Sequence, residues 1–291
     1  GNSLNSFLAQ NLDRVVLHLM GRRIRNAEFN PATPTHLPSI GGNGAPTDDL
    51  QPDQTLFCRL NFLTEFKRRK IPVSDFTFST PLPSPEPANN LARGRFYGNR
   101  RDHQKPVVIF LHGWMMEYYL IFEKICLALA RRGLNALFFE LPYHRRRSPE
   151  GSFSGQYFLL RDLDTTYLAL KQSLAEISAL ISWLRRNNPD RNVGVLGISL
   201  GGWIGSLLTT VEPRLSFSVL SAAAVDPRVM LSDSPLGENI KPHLSRPEDQ
   251  KYFRHFCELT TPSSFSPAIS FRDILLTENI FDCFIPSAII S

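Results

Sequence analysis

At 291 residues, 42% of them hydrophobic, the chain can bury one sizeable core and has the length of a single elaborated α/β domain. Its formal net charge of +5 is only mildly basic, and the two dense clusters, Lys67-Arg68-Arg69-Lys70 and Arg145-Arg146-Arg147, are too short for the basic face of a nucleic-acid binder, so solvated surface is the plainer reading of both. No stretch reaches the roughly 18 uninterrupted apolar residues of a membrane span.

The four cysteines (Cys58, Cys126, Cys257, Cys283) lack metal-ligand spacing and sit mostly among apolar neighbours. Free thiols in a reducing, cytoplasmic compartment are therefore expected, with no metal site and no disulfide framework. The first residues show neither the basic nor the apolar region of a signal peptide.

Leu8, Leu12, Val15, Val16 and Leu19 recur at helical spacing, so residues 6–25 read as an amphipathic helix. Residues 30–53, rich in Pro, Gly and Asn, read as a loop, and residues 60–70 as a short helical piece. Together residues 1–70 form an N-terminal extension and linker. The period then changes: residues 75–79 and 92–97 look like strands separated by a proline-rich turn.

From Pro106 onward strands and helices alternate. Val107-Val-Ile-Phe-Leu111 is a continuous apolar run, as a strand buried on both faces requires. A helix follows over residues 118–132, a strand over 136–140 and a long helix over much of 159–187. Residues 193–197 make a third core strand, 200–211 a helix, and 217–222 and 273–277 two further strands. Such alternation predicts a mostly parallel twisted sheet with helices on both faces, here spanning residues 71–291. The polar, proline-studded residues 226–271 read as a small cap insertion.

Gly197-Ile198-Ser199-Leu200-Gly201 matches G-x-S-x-G. The spacing alone is weak, since a chance match in a chain of this composition has odds on the order of one in ten. Its setting is more telling, because the motif ends a buried strand and opens a helix. A sharp turn there holds the serine in a strained conformation, excludes side chains two residues either way, and points a helix N-terminus at the hydroxyl. A plain strand-to-helix turn with a solvent-facing serine is the bland alternative. His112-Gly113-Trp114 directly follows the first core strand. A tight turn here can aim the Trp114 N–H at a tetrahedral oxyanion, with the Leu200 N–H as second donor. His112, Gly113, Met115 and His144 are candidate substrate-binding residues around this turn. In the oxyanion reading His112 bonds loop backbone. Met115 and Met116, with Trp114, Tyr118 and Tyr119, either line an acyl pocket or form the buried face of the next helix. The His144-Arg-Arg-Arg147 loop opens on the same face and can take a carboxylate or phosphate, although solvated charge is the commoner role of such a run.

Through V-V-I-F-L-H-G-W, A-L-F-F-E-L-P-Y-H, V-G-V-L-G-I-S-L-G-G-W and I-L-L-T-E-N-I-F-D-C-F-I-P, the sequence resembles the α/β-hydrolase superfamily from about residue 75 onward. It looks closest to the esterase, lipase and dienelactone-hydrolase-like branches. The resemblance implies an α/β-hydrolase fold with an eight-stranded core sheet, a Ser–acid–His triad and no cofactor. It also implies a small-molecule acyl or ester substrate, hydrolysed through an acyl-enzyme on Ser199. Asp282, in F-D-C-F-I-P, matches the triad acid, with Asp226 and Glu278 as weaker candidates. The family's histidine follows the acid, whereas all seven histidines here precede Asp282. Three readings stay open: the last strand, histidine loop and helix lie beyond residue 291; His144 or His255 reaches Ser199 from an unusual position; or the chain is a non-catalytic binding or scaffold relative. A thioesterase or peptidase using the same machinery is a further alternative. On the first reading residues 1–291 are catalytically incomplete. The oligomeric state is not legible.

Overall fold

The computed structural model describes residues 23–24, 27, 29, 37, 49–223, 226–228 and 237–277. The helix expected over residues 6–25 falls almost wholly outside them. Within them eight strands share one sheet in the order β1-β2-β3-β5-β4-β6-β7-β8. The strands are β1 (Asn61–Arg68), β2 (Ile71–Ser79), β3 (Leu91–Tyr97), β4 (Val107–Leu111), β5 (Asn135–Glu140), β6 (Val193–Ile198), β7 (Phe217–Ser221) and β8 (Ile274–Thr277). β1, β2, β3 and β5 pair antiparallel in succession, whereas β5, β4, β6, β7 and β8 run parallel. The mostly parallel α/β-hydrolase sheet read from the sequence is therefore present.

β4 and β5 are buried at every position, which explains their unbroken apolar runs. Their side chains alternate between two cores. Phe110 and Phe138 face Met116, Cys126 and Leu127 on one side of the sheet. Ile109, Leu111, Leu137 and Phe139 face the larger core on the other. Helix α1 (Leu120–Arg131) covers the first side. After the short α2 (Gln156–Leu159), the long α3 (Leu163–Arg185) and α4 (Leu200–Val211) cover the second. The short α5 (Gly237–Ile240) precedes α6 (Pro247–Thr260), within residues 226–271. α6 buries Phe253, Phe256, Cys257 and Leu259, and its C-terminal Thr260 carbonyl accepts a 2.7 Å hydrogen bond from Trp203 Nε1 of α4.

One expectation is corrected. Residues 60–70 are a strand and turn, not a helical piece. Phe62 and Phe66, four apart, satisfy a helical repeat and a strand alternation alike, and pairing with β2 decides between them. A register shift between Phe62 and Thr64 leaves Leu63 as an extra, exposed residue. The long helix expected over much of 159–187 is α3, which begins after Leu160–Asp162. Asp162 is extended and accepts a hydrogen bond from the Thr165 backbone N–H at 2.5 Å, capping α3.

Candidate active site at the β6–α4 turn

β4 is flanked by β5 on one side and β6 on the other, and the chain leaves it for α1 on one face of the sheet and reaches β6 from α3 on the other. A crevice forms outside the carboxyl ends of strands at such a point, where open α/β sheets place their ligands. Two turns meet there. After β6, Ser199 adopts φ 53° and ψ −115°, a region costly for a residue with a Cβ. Its N–H donates to Ser221 O at 3.0 Å, tying the turn to the end of β7, and its carbonyl accepts from Trp203 N–H at 3.0 Å. The first turn of α4 leaves the Leu200 N–H without an intrahelical partner.

Only glycine fits at two positions. A Cβ on Gly197 would lie 2.2 Å from Gly201 O, and one on Gly201 would lie 2.2 Å from Leu111 O and 2.8 Å from His112 O. The start of α4 is thus pressed against the end of β4. A Cβ built on Gly113 would fall 3.5 Å from Ser199 Cβ, so the turn after β4 stands beside the serine. Ser199, Gly113, Trp114 and Met115 are all partly exposed. Met115 has φ 57°, a second strained position, in the turn after β4.

His112 and His144 do not line the crevice. Both are wholly buried. His112 Nε2 accepts from the Leu141 N–H at 3.1 Å, and its Nδ1 lies 2.8 Å from Gly113 O. Accepting at Nε2 leaves Nδ1 as the protonated nitrogen of the neutral ring, donating to that carbonyl. His144 Nδ1 lies 2.8 Å from Pro142 O, and its Nε2 has no hydrogen-bond partner. The rings meet edge-on at 4.8 Å. Burial, with the neighbouring imidazole, holds His112 well below the usual imidazole range, and burial brings His144 down to about 4. Neither buried ring is placed to touch substrate: His112 meets loop backbone through both nitrogens, as the oxyanion reading expects, His144 does so through Nδ1 alone, and both stay neutral near pH 7.

Two of the loop's three arginines are engaged within the fold, and one keeps the solvated role expected of such a run. Arg147 is fully buried in a bidentate pair with Glu176 of α3 at 2.7 and 2.8 Å, and also donates to Asn89 O and Glu140 O. Arg145 reaches Glu140 at 3.1 Å and lies over the Tyr119 ring, while Arg146 donates its backbone N–H to Glu140. Only the Arg146 side chain is exposed. Tyr119 packs edge-on against Phe138, and Tyr118 is 76% exposed, so neither is shown as pocket wall.

Residues 141–155 buttress the turn after β4. Ser154 Oγ donates to Met116 O at 2.5 Å, Arg145 Nε to Glu117 O at 3.1 Å and Trp114 Nε1 to Gly155 O at 2.8 Å. No sequence motif announces this support, because partners such as Glu176 lie far away in the chain. The sequence reading reached Trp114 through its backbone and not its indole, and Arg145 and Met116 as candidate ligand or pocket residues and not as part of this support.

Asp282 and Glu278 lie outside the described residues. Asp226 follows β7 and holds Arg228 through contacts of 2.7 to 3.2 Å. His255 Nδ1 lies 3.8 Å from Glu258. Among the described residues, no group of three or more His, Cys, Asp or Glu is placed to hold a metal ion. Cys58, Cys126 and Cys257 are buried free thiols, each pushed up to about 12 chiefly by burial. No helix among the described residues is long and apolar enough to cross a membrane.

A model of the alpha/beta hydrolase family matches residues 108–280. Two curated sequences of an uncharacterised protein of Mycobacterium tuberculosis, one from each of two strains, are 32% identical over 94 residues. That segment is 32% of this chain but only 22% of those relatives' length. Among solved structures, acetyl xylan esterase 1 from Thermoanaerobacterium sp. JW/SL YS485 superposes with a TM-score of 0.59 at 14% identity, covering 91% of this chain and 84% of its own. The acetyl xylan esterase of Paenibacillus sp. R4 gives 0.60 at 14%, covering 91% and 85%. At that identity the likeness speaks for a shared fold.

Proposed function

Because the chain belongs to the alpha/beta hydrolase family, we propose that this hydrolase is a serine enzyme cleaving carboxylic esters through an acyl-enzyme on Ser199. The observation that carries the reading is the backbone of Ser199: φ 53° and ψ −115° at a strand-to-helix turn that only glycines at 197 and 201 permit. Ser199 Oγ attacks the substrate carbonyl, and the Leu200 and Trp114 N–H groups donate to the oxyanion. A histidine oriented by Asp282 takes the hydroxyl proton and returns it to the departing alcohol. Water, deprotonated by the same base, then releases the acid. His112 and Gly113 shape the oxyanion turn, and Met115 borders the acyl site.

Esters are favoured over amides because an alkoxide departs with less help from a general acid than an amine does. The likeness in fold to two acetyl xylan esterases supports the same choice only in outline. The buried thiols suit a reducing compartment, and we place the protein in the cytoplasm. Because β1 belongs to the sheet, the extension preceding the catalytic domain is read as ending near residue 60 and not 70, and residues 226–271 are read as the domain's cap.

Fluorophosphonate labelling of the natural protein tests this. The expected result is an adduct on Ser199 that disappears in Ser199→Ala with the melting temperature retained. Turnover of matched ester, thioester and peptide substrates then ranks the acyl group. A natural protein that takes no label at Ser199 sinks the enzyme reading. It would favour a binding role on the same fold, for which the one supporting observation is that His112 and His144 are both buried and bonded to backbone.

A further inference from the structure

β2 runs parallel to β5, so the turn joining β1 to β2 lies at the amino ends of the parallel strands, opposite Ser199. That turn carries Arg69 at φ 48° and Lys70 at φ 70°. Consecutive positive φ values suit Asn-Gly, and holding two long cations there costs backbone energy. Beside it a groove of about 380 Å³ runs between β1 and α1, within the size range of small-ligand sites. One wall is Lys67, Arg68 and Arg69. The other is one face of α1, where Leu120, Glu123, Lys124, Leu127 and Arg131 recur at helical spacing.

Five cations therefore meet one carboxylate. Glu123 is already occupied, lying 3.5 Å from Arg95 and 3.7 Å from Arg68. Asp75 holds Arg95 at 2.6 Å, and Glu65, on the same face of β1 as Lys67, is engaged by Arg100. Lys67, Arg69, Lys124 and Arg131 make no ion pair among the described residues, and all four are exposed. Cations on an outer strand guard it against pairing with other chains. That accounts for Lys67 but not for Arg69 in the turn, nor for Lys124 and Arg131 on the facing helix. Like charges brought together without counter-ions repel, and an anionic ligand reverses the sign of that energy.

We propose that this groove binds a ligand carrying clustered phosphate groups, remote from the Ser199 crevice. Arginine forks and lysine ammonium groups on two walls can engage several phosphate oxygens at once. Half of the site, the β1–β2 hairpin, lies outside the residues matched by the family model.

Titration calorimetry of the full chain with inorganic tripolyphosphate tests the site, and flotation with phosphatidylcholine vesicles, with and without phosphatidic acid, tests a lipid headgroup as the phosphate source. Saturable tripolyphosphate binding, or flotation only with phosphatidic acid, is expected. Either should weaken about tenfold or more in Lys124→Glu with Arg131→Glu, roughly 1.4 kcal/mol or above. Arg254→Glu with Arg272→Glu, exposed and equal in net charge, should bind like the parent. Melting curves check that both pairs fold. Failure of both probes, or equal weakening by both pairs, overturns the proposal.

Discussion

At the scale of single residues, the turn at Ser199 is a place where backbone room decides chemistry. A sparsely populated φ/ψ pair costs on the order of 1–3 kcal/mol and persists only where the surroundings enforce it. Here the enforcement is the contact between Gly201 and the end of β4. Gly201→Ala would put a methyl group 2.2 Å from Leu111 O, a backbone atom that cannot swing aside. The expected outcome is a loss of about 1–3 kcal/mol in denaturant unfolding, accompanied by loss of fluorophosphonate labelling. Unchanged stability would mean that α4 does not start as close to β4 as described. The G-x-S-x-G spacing made this pair legible, because tight approach is what its glycines are for. The place of His112 in the turn after β4 made its bonds to loop backbone legible too, whereas nothing comparable identified His144 as a buried group.

At the scale of elements, the turn after β4 depends on a loop more than on itself. Residues 141–155 hold it through Ser154, Arg145 and Gly155, and that loop is pinned in turn to α3 by Arg147 and Glu176. Both side chains are 0% exposed. Breaking one partner leaves a charge buried without compensation, typically at a cost of about 3–5 kcal/mol. Glu176→Gln should therefore lower unfolding stability by about that amount, and Arg147→Met with Glu176→Leu should recover much of it. Hydrogen exchange at residues 112–117 should quicken in the single variant, reporting the loosened support. A single variant as stable as the parent would remove Arg147 from this role.

At the scale of the whole molecule, the buried imidazoles link folding to acidity. His144 titrates near 4 when folded, below its ordinary 6.5. The unfolded chain takes up its proton first, so the stability from the neutral ring is present above about pH 6.5 and is lost as pH falls toward 4. The full difference is about 3 kcal/mol for His144, and His112 acts in the same direction. Global unfolding measured from pH 7 to 4 should fall steeply in the parent and less steeply in His144→Asn, whose amide can still donate to Pro142 O. Parallel profiles would show that His144 is already protonated in the fold.

The sequence by itself determined the parallel core. Val107-Val-Ile-Phe-Leu111 and the runs around Phe138 and Val195 have the length and the β-branched and aromatic content of strands buried on both faces, and the glycines flanking Ser199 mark the sharp turn from the last of them into a helix. It left β1 undecided, because Phe62 and Phe66 fit two periods and only pairing with β2 chooses one. Tertiary structure alone decided what the polar residues of the loops do. Arg147 meets Glu176 across 29 positions, Ser154 meets Met116 across 38, and the cations of β1 face those of α1. Local periodicity records which face of an element is buried, since each side chain's direction follows from its own backbone. It carries no record of which distant charge will arrive to share that burial.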